Sequence, residues 1–250
     1  MSLVSEKGVD LRVDTARTSA YATPEENLAL DEELLGAVED DAGAETLRFW
    51  ESDTWFVAVG KSQRIDQVVL SEADVPVLRR GSGGGAVLIG PGCLNFALAL
   101  SLRRRPELRD VRRSFAIILG SIAEGLRIEG MAIRGTSDLA IGDRKVSGNA
   151  QRRTRNALLH HGTLLYDFCA ERVARVLKEP ERQPDYRAGR THAEFLGTIP
   201  LSAADLKLRI GAAVTWPYEP GLARSGCFLD RDRYGSLSGN GFAVARSSSD

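Results

Sequence analysis

The spacing of apolar residues changes along the chain, and each change predicts an element. Leu30, Leu34, Leu35 and Val38 recur at helical spacing. The helix they belong to has a marked start: Thr23 as N-cap, Pro24 at the first helical position, and Glu26 placed to complete a capping box. A second stripe, Val111, Phe115, Ile118, Leu119, Ile122 and Leu126, keeps close to the 3.6-residue period behind Asp110 as cap. Residues 169–177, 192–196 and 203–214 also carry helical spacing. Strand patterns fill much of the rest. An edge strand is predicted around 9–13, and segments 46–50 and 55–59 read as a hairpin parted by Glu51-Ser52-Asp53-Thr54. Short strands follow at 75–78 and 86–89, then a largely apolar one at 94–100, whose near-continuous apolar run implies a well-buried sheet. Further strands are predicted at 131–134, 139–141, 146–150 and 157–165, with Gly142-Asp143-Arg144 as a tight turn. Two stretches lack a period: a polar, Pro/Arg-rich loop at 180–190, suited to ordering on a ligand, and a Gly/Ser/Arg-rich end at 221–250, expected to be an irregular tail.

Composition narrows this picture. The 250 residues suffice for one large domain or a domain with a small appendage, and 43% hydrophobic with 27% charged residues is ordinary for a globular chain. A net charge of -1 argues against general nucleic-acid binding. No apolar run of membrane-spanning length occurs, and Met1-Ser-Leu-Val-Ser-Glu-Lys lacks the form of a signal peptide, so the expectation is a cytoplasmic protein without a membrane partner. Cys93, Cys169 and Cys227 fit neither a disulfide framework nor a zinc site. Only five of the 33 basic residues are lysines, which makes each lysine a slightly marked choice.

Three stretches could carry chemistry. The first, Arg79-Arg80-Gly81-Ser82-Gly83-Gly84-Gly85-Ala86, is a bare loop between short strands, where a ligand can touch the main chain and backbone N–H groups can align toward an anion or a planar group. In the second, Lys145 follows a tight turn and precedes Ser147, Gly148 and Ala150, whose small side chains leave an open floor beneath its ammonium, with Asp138 upstream. That suits a phosphate or a carboxylate. The third is Leu159-His160-His161-Gly162-Thr163-Leu164-Leu165; neighbouring histidines on a strand point to opposite faces, so they do not readily share a metal. With His192 the one further histidine, no metal held by protein alone is expected. Taken singly, each stretch also has a plainer reading: a flexible turn, a solvated lysine, a surface acid, a core histidine, arginines that merely flank a loop.

Together, Arg79-Arg-Gly-Ser-Gly-Gly-Gly-Ala-Val87, Gly142-Asp-Arg-Lys-Val-Ser-Gly-Asn-Ala150 and His160-His-Gly-Thr-Leu-Leu165 resemble, in order and spacing, the three signature stretches of the lipoate-protein ligase A family. Glu26-Asn27-Leu-Ala-Leu-Asp31 looks like that family's first helix, so the resemblance runs from about residue 20 to 215. It implies the α+β fold of biotin/lipoate ligase catalytic domains, a mixed, largely antiparallel sheet flanked by helices, over residues 1–220. It also implies an activity: lipoate or octanoate is activated with ATP and magnesium to an acyl-adenylate. The acyl group then passes to a lysine of a lipoyl carrier domain, as in 2-oxoacid dehydrogenases or the glycine cleavage H protein. In that reading Gly83, Gly84 and Gly85 lie along the acyl chain and adenylate, Lys145 is the central catalytic group, and Asp138 assists the nucleotide or its magnesium. Arg79 or Arg80 bounds the pocket, His161 or His160 lines its acyl side, and Ser82, Ala86, Asn95, Ser147, Gly148, Ala150 and Gly162 complete the wall.

The chain also departs from the family pattern. Ile89-Gly90 and Gly92-Cys93 stand where the family usually carries a His-Asp pair and then Gly-Asn. Many family members add a C-terminal accessory domain, so a separate accessory subunit is a further expected partner. Two alternatives follow: an ATP-independent octanoyl- or lipoyltransferase working through a cysteine thioester, with Cys93 or Cys227 as displaced nucleophile, and a non-catalytic module that binds the acyl group or adenylate. A biotin ligase is disfavoured, since its Gly-Arg-Gly-Arg signature is missing from the 79–87 loop.

Overall fold

The computed structural model describes residues 13–19 and 23–214. In chain order the elements are β1 (Thr15–Thr18), α1 (Pro24–Glu39), β2 (Thr46–Trp50), β3 (Phe56–Val59), α2 (Ile65–Val68), β4 (Val77–Arg79), β5 (Val87–Ile89), β6 (Cys93–Ser101), α3 (Val111–Leu126), β7 (Met131–Arg134), β8 (Asp138–Ile141), β9 (Arg144–Arg153), β10 (Ala157–Leu165), α4 (His192–Phe195) and α5 (Ala203–Val214). Seven strands form the main sheet in the order β1-β2-β6-β10-β9-β8-β7, and β4-β3-β5 form a smaller one. The main sheet is antiparallel except at its β1–β2 edge, and in the small sheet β3 runs parallel to β4. The class is thus α+β with a mixed, largely antiparallel sheet, as expected.

Alternation along β6 and β10 decides which helix covers which face. Ala97, Ala99, Ala157 and Leu159 pack with Leu34, Leu35 and Val38 of α1, the short alanines letting the helix lie close. The intervening Leu94, Phe96, Leu98, Leu100, Leu158 and Leu164 meet Phe115, Ile118, Leu119 and Ile122 of α3, and Leu206 and Ile210 of α5. Both faces being apolar explains the near-continuous hydrophobic run in β6, broken within 94–100 by Asn95. Helices α1 and α3 start as their sequences predict: Thr23 Oγ1 accepts the Glu26 N–H at 3.2 Å while Glu26 returns to the Thr23 N–H, and Asp110 accepts the Arg113 N–H at 2.7 Å.

The structure corrects several element readings. Segments 46–50 and 55–59 are not a hairpin. Both are fully buried strands needing neighbours on two sides; β2 takes β1 and β6, and β3 takes β4 and β5. The first described strand is Thr15–Thr18 rather than 9–13, of which residues 9–12 lie outside the described residues. Val111 is 48% exposed because it opens α3, and Ser114 takes the buried place in that turn. Segment 169–177 holds a 3-10 turn, Ala170–Arg175, rather than an α-helix. The expected irregular tail at 221–250 and Cys227 lie outside the described residues. No helix among the described residues is long and apolar enough to cross a membrane.

Candidate active site

One row of the main sheet gives the site its floor. Trp50, Asn95, Thr163, Gly148 and Asp138 are direct partners across β2, β6, β10, β9 and β8. Asn95 is buried and its side-chain oxygen accepts the Thr163 hydroxyl at 2.8 Å. On the same face the next row holds Ala97, His161 and Ala150.

Lys145 reaches this face only because the sheet is irregular. Simple alternation from Gly148 would send Lys145 to the α3 side. Between Leu139 and Ala140 the register shifts, so that Ser147 opposes Leu139 while Lys145 opposes Ala140. Val146 is the extra residue of the resulting bulge and turns into the α3-side core. Lys145 is thereby returned to the face of Asp138 and Gly148. Its ammonium lies 2.8 Å from Asp138 Oδ1, and a Cβ built on Gly148 would stand 3.0 Å from both Lys145 Cε and Nζ. The lysine therefore lies across the bare strand at Gly148. The Tyr186 hydroxyl donates to the other Asp138 oxygen at 2.8 Å, and burial, with the Asp138 charge beside it, pushes that phenol's pKa well up. The Gly197 N–H fixes the Lys145 carbonyl at 2.9 Å.

The glycine loop faces this floor and is organised by Arg80. Its guanidinium donates to Ser82 Oγ (2.9 Å) and to the carbonyls of Ala58 (2.9 Å), Gly83 (2.8 Å) and Gly85 (2.7 Å). Because the peptides are trans, carbonyls turned toward Arg80 leave the N–H groups of Gly84 and Ala86 facing the other way. Such aligned donors suit an anion. Gly84 has φ +95°, which favours glycine, and a Cβ there would lie 3.9 Å from the Ala150 methyl, so the loop rests over β9. Gly60 is equally constrained, since its Cβ would fall 2.2 Å from the Gly84 carbonyl oxygen. Burial lowers the Arg80 pKa to about 10, which keeps the group charged at neutral pH. Ser82 Oγ and His161 Nε2 are 2.6 Å apart, tying the loop to β10. Burial first, then the Arg80 charge, pushes the His161 pKa down to about 3, so its imidazole is neutral.

Not every residue singled out from the sequence gathers here. Arg79 points the other way and donates to the carbonyls of Gly60, Lys61 and Gln63, bracing that turn instead of bounding the pocket. His160 is fully buried on the α3 face, between Phe96 and Phe115 at ring distances of 6.0 and 5.3 Å. Ser147 and Gly162 share that face: Ser147 is fully buried beside Asn149, and a Cβ on Gly162 would meet Asn149 Oδ1 at 2.0 Å. Cys93 is 1% exposed among Val57, Leu88, Ile89 and Leu165, and burial pushes its thiol up to about 12, far from a reactive thiolate. The departures around it fit the packing. Ile89 is in the core, and a Cβ on Gly90 would stand 2.4 Å from the Trp55 ring, leaving no space for a larger residue. Among the described residues no group of three His, Cys, Asp or Glu could hold a metal ion.

Tyr186, Glu32 and Arg152 were not anticipated. Tyr186 is the one aromatic in the polar 180–190 stretch, a signal that was present. Glu32 and Arg152 form an ion pair beside Gly81, and no local pattern in the chain marks either residue.

The family model of the lipoyl protein ligase A/B catalytic domain matches residues 23–194. The chain belongs to this family. It is 33% identical over 154 residues to lipoate-protein ligase A of Psychrobacter cryohalolentis, covering 59% of this chain and 42% of that one. It is 30% identical over 161 residues to lipoate-protein ligase LplJ of Bacillus subtilis, covering 62% and 46%. The chain thus spans less than half the length of the curated relatives it matches. Among solved structures, a lipoate-protein ligase A bound with ATP superposes with a TM-score of 0.62 at 21% identity, covering 80% of this chain and 83% of that one. A bi-partite lipoate protein ligase of Thermoplasma acidophilum, studied with its E2 lipoyl domain, gives 0.61 at 20% identity, covering 82% of each chain. At these identities the likeness is one of fold.

Proposed function

We propose that this chain is the catalytic part of a lipoate-protein ligase that makes an acyl-adenylate and transfers its acyl group to a lysine of a lipoyl carrier domain. The observation that carries this reading is Lys145, turned by the bulge onto the sheet face over which the glycine loop rests. In the first step a carboxylate oxygen of lipoate or octanoate attacks the α-phosphorus of ATP and pyrophosphate leaves. Lys145 neutralises the approach of two anions and the charge growing on the non-bridging oxygens. In the second, the carrier's lysine amine attacks the acyl carbonyl; the acyl C–O bond breaks, AMP leaves with the electron pair, and the nitrogen loses a proton. The same ammonium stabilises the tetrahedral oxyanion, a role whose loss typically costs on the order of 10²–10³ in rate. The N–H groups of Gly84 and Ala86 add fixed donors, and the neutral His161 with Ser82 closes one wall. A magnesium ion arriving with ATP would supply charge neutralisation between the phosphates, and Asp138 would hold it through Oδ1 once Lys145 turns from that oxygen to the substrate.

The test is to incubate the protein with lipoate, magnesium ATP and an apo lipoyl domain, with and without a separately supplied accessory subunit, and to weigh the carrier. A mass gain matching one lipoyl group, with pyrophosphate release, is expected. Neither signal in either arm refutes the reading. The thioester alternative finds no support at Cys93, whose thiol is buried and protonated.

A further inference from the structure

Glu32 and Arg152 lie outside the three signature stretches, yet both touch the start of the glycine loop. Glu32 projects from α1, and Arg152 stands on β9 two residues beyond Ala150, on the same face. Their side chains form an ion pair and are 24% and 40% exposed. The Gly81 N–H donates to the Glu32 carboxylate. Contact is so close that a Cβ on Gly81 would stand 2.3 Å from both Glu32 Oε1 and Arg152 Nη1. Gly81, Glu32, Arg80 and His161 line one small cleft, together with Leu28 and Asp31.

Two of the loop's supports differ in kind. Arg80 is buried and holds the Gly83 and Gly85 carbonyls from beneath with two of its four hydrogen bonds. Gly81 is held from outside, by a pair that solvent can reach. Residues 83–85 have no side chains with which to anchor themselves, so their position depends on these supports together with the Ser82–His161 contact and the Lys61 N–H on the Ser82 carbonyl. The pair also works as a unit. Burial raises the Glu32 pKa and the Arg152 charge opposes that rise. The Arg152 charge favours the ionised carboxylate, which is the stronger acceptor for the Gly81 N–H.

We propose that the Glu32–Arg152 pair is a latch on the glycine loop: closed, it holds the loop over the acyl-adenylate; open, it frees the loop and lets that intermediate escape. The proposal rests on the acyl-adenylate reading above. An escaped acyl-adenylate is hydrolysed by water to the free acid and AMP, so an open latch shows as pyrophosphate released in excess of carrier acylated. Glu32 and Arg152 are positioning residues here; they act through the loop.

Three variants of the full chain open the latch in different ways. E32A removes the acceptor, R152A removes the charge that supports it, and G81A wedges a methyl group between the two. Gly81 does not have a positive φ, so alanine fits its backbone, and G81A keeps both charges should E32A fold poorly. Hydrogen exchange of amides 80–86 is followed in each, with strands β6 and β10 as internal controls. The off-rate of lipoyl-sulfamoyl-adenosine, a stable acyl-adenylate analogue, is measured beside it. Loss of one charge-assisted hydrogen bond should speed exchange across 80–86 roughly ten- to a hundredfold, with a tenfold or greater rise in off-rate, while R152K stays within about threefold of the parent. Exchange and off-rates within twofold of the parent in both E32A and G81A overturn the latch. Faster exchange with an unchanged off-rate also overturns it, since retention is its stated role. If the parent releases no pyrophosphate and acylates no carrier, the ligase reading fails by itself; exchange and analogue off-rate then still decide the latch.

Discussion

Replacing Gly148 by alanine puts one methyl group beneath the ammonium of Lys145. The added Cβ would lie 3.0 Å from Lys145 Cε and Nζ, where relaxed non-bonded carbon contacts sit near 3.5–4.0 Å, so the end of the lysine must move by roughly 0.5–1 Å. Nothing else in the fold is asked to move, because no other atom lies within 4 Å of that Cβ. Gly148 does not have a positive φ. Alanine is therefore compatible with the strand, and its smaller unfolded-state entropy stabilises by about 0.4–1 kcal/mol. Activity should move the opposite way. A misplacement approaching 1 Å at a reacting centre costs up to about 10²-fold, or about 2.7 kcal/mol of barrier. G148A should thus fall roughly ten- to a hundredfold in lipoate-dependent pyrophosphate release, less than the 10²–10³ expected for K145A, with an unchanged or slightly higher melting temperature. Single-turnover pyrophosphate release and calorimetry on the same preparation check both halves. A fully active G148A would refute the claim that Lys145 works from its place across Gly148.

Other consequences concern charge and the thiol. The His160 pKa is pushed from 6.5 to about 3 by burial, so the unfolded chain binds a proton between those values that the fold refuses. Stability from this group is complete above pH 6.5 and falls as pH drops toward 3, by about 2 kcal/mol between pH 8 and pH 5. His161 shifts in the same direction but borders the cleft, and its share is smaller. Urea midpoints at the two pH values test this; a pH-independent midpoint refutes it. Cys93→Ala should keep ligase activity within about threefold, with no acyl adduct on the protein by mass; loss of activity in a stable C93A protein would restore the thioester alternative.

Much of the framework is local and is legible in the chain. The capping box at Thr23, the N-cap at Asp110, the strands at 94–100 and 157–165, the 142–144 turn and the divergence of His160 and His161 follow from short-range periodicity and hydrogen-bond chemistry. The three motifs likewise marked the loop, the lysine strand and the histidine strand. What periodicity cannot carry is register between distant segments. One extra residue at Val146 reverses the face of Lys145, and nothing in the local pattern marks the partner strand against which it is extra. The same limit hid the separation of β2 from β3 into different sheets, since either pairing satisfies an apolar strand. Arg79 and Arg80 are adjacent and chemically alike; strand alternation sends one to brace a turn and the other beneath the loop. Tyr186 meets Asp138 across 48 positions of chain and Glu32 meets Arg152 across 120. The sequence by itself thus determined the elements and the types of chemistry, because those depend on neighbours within a few residues. The tertiary structure alone decided which side chains share a face, because a pleated strand changes that answer with every single-residue shift.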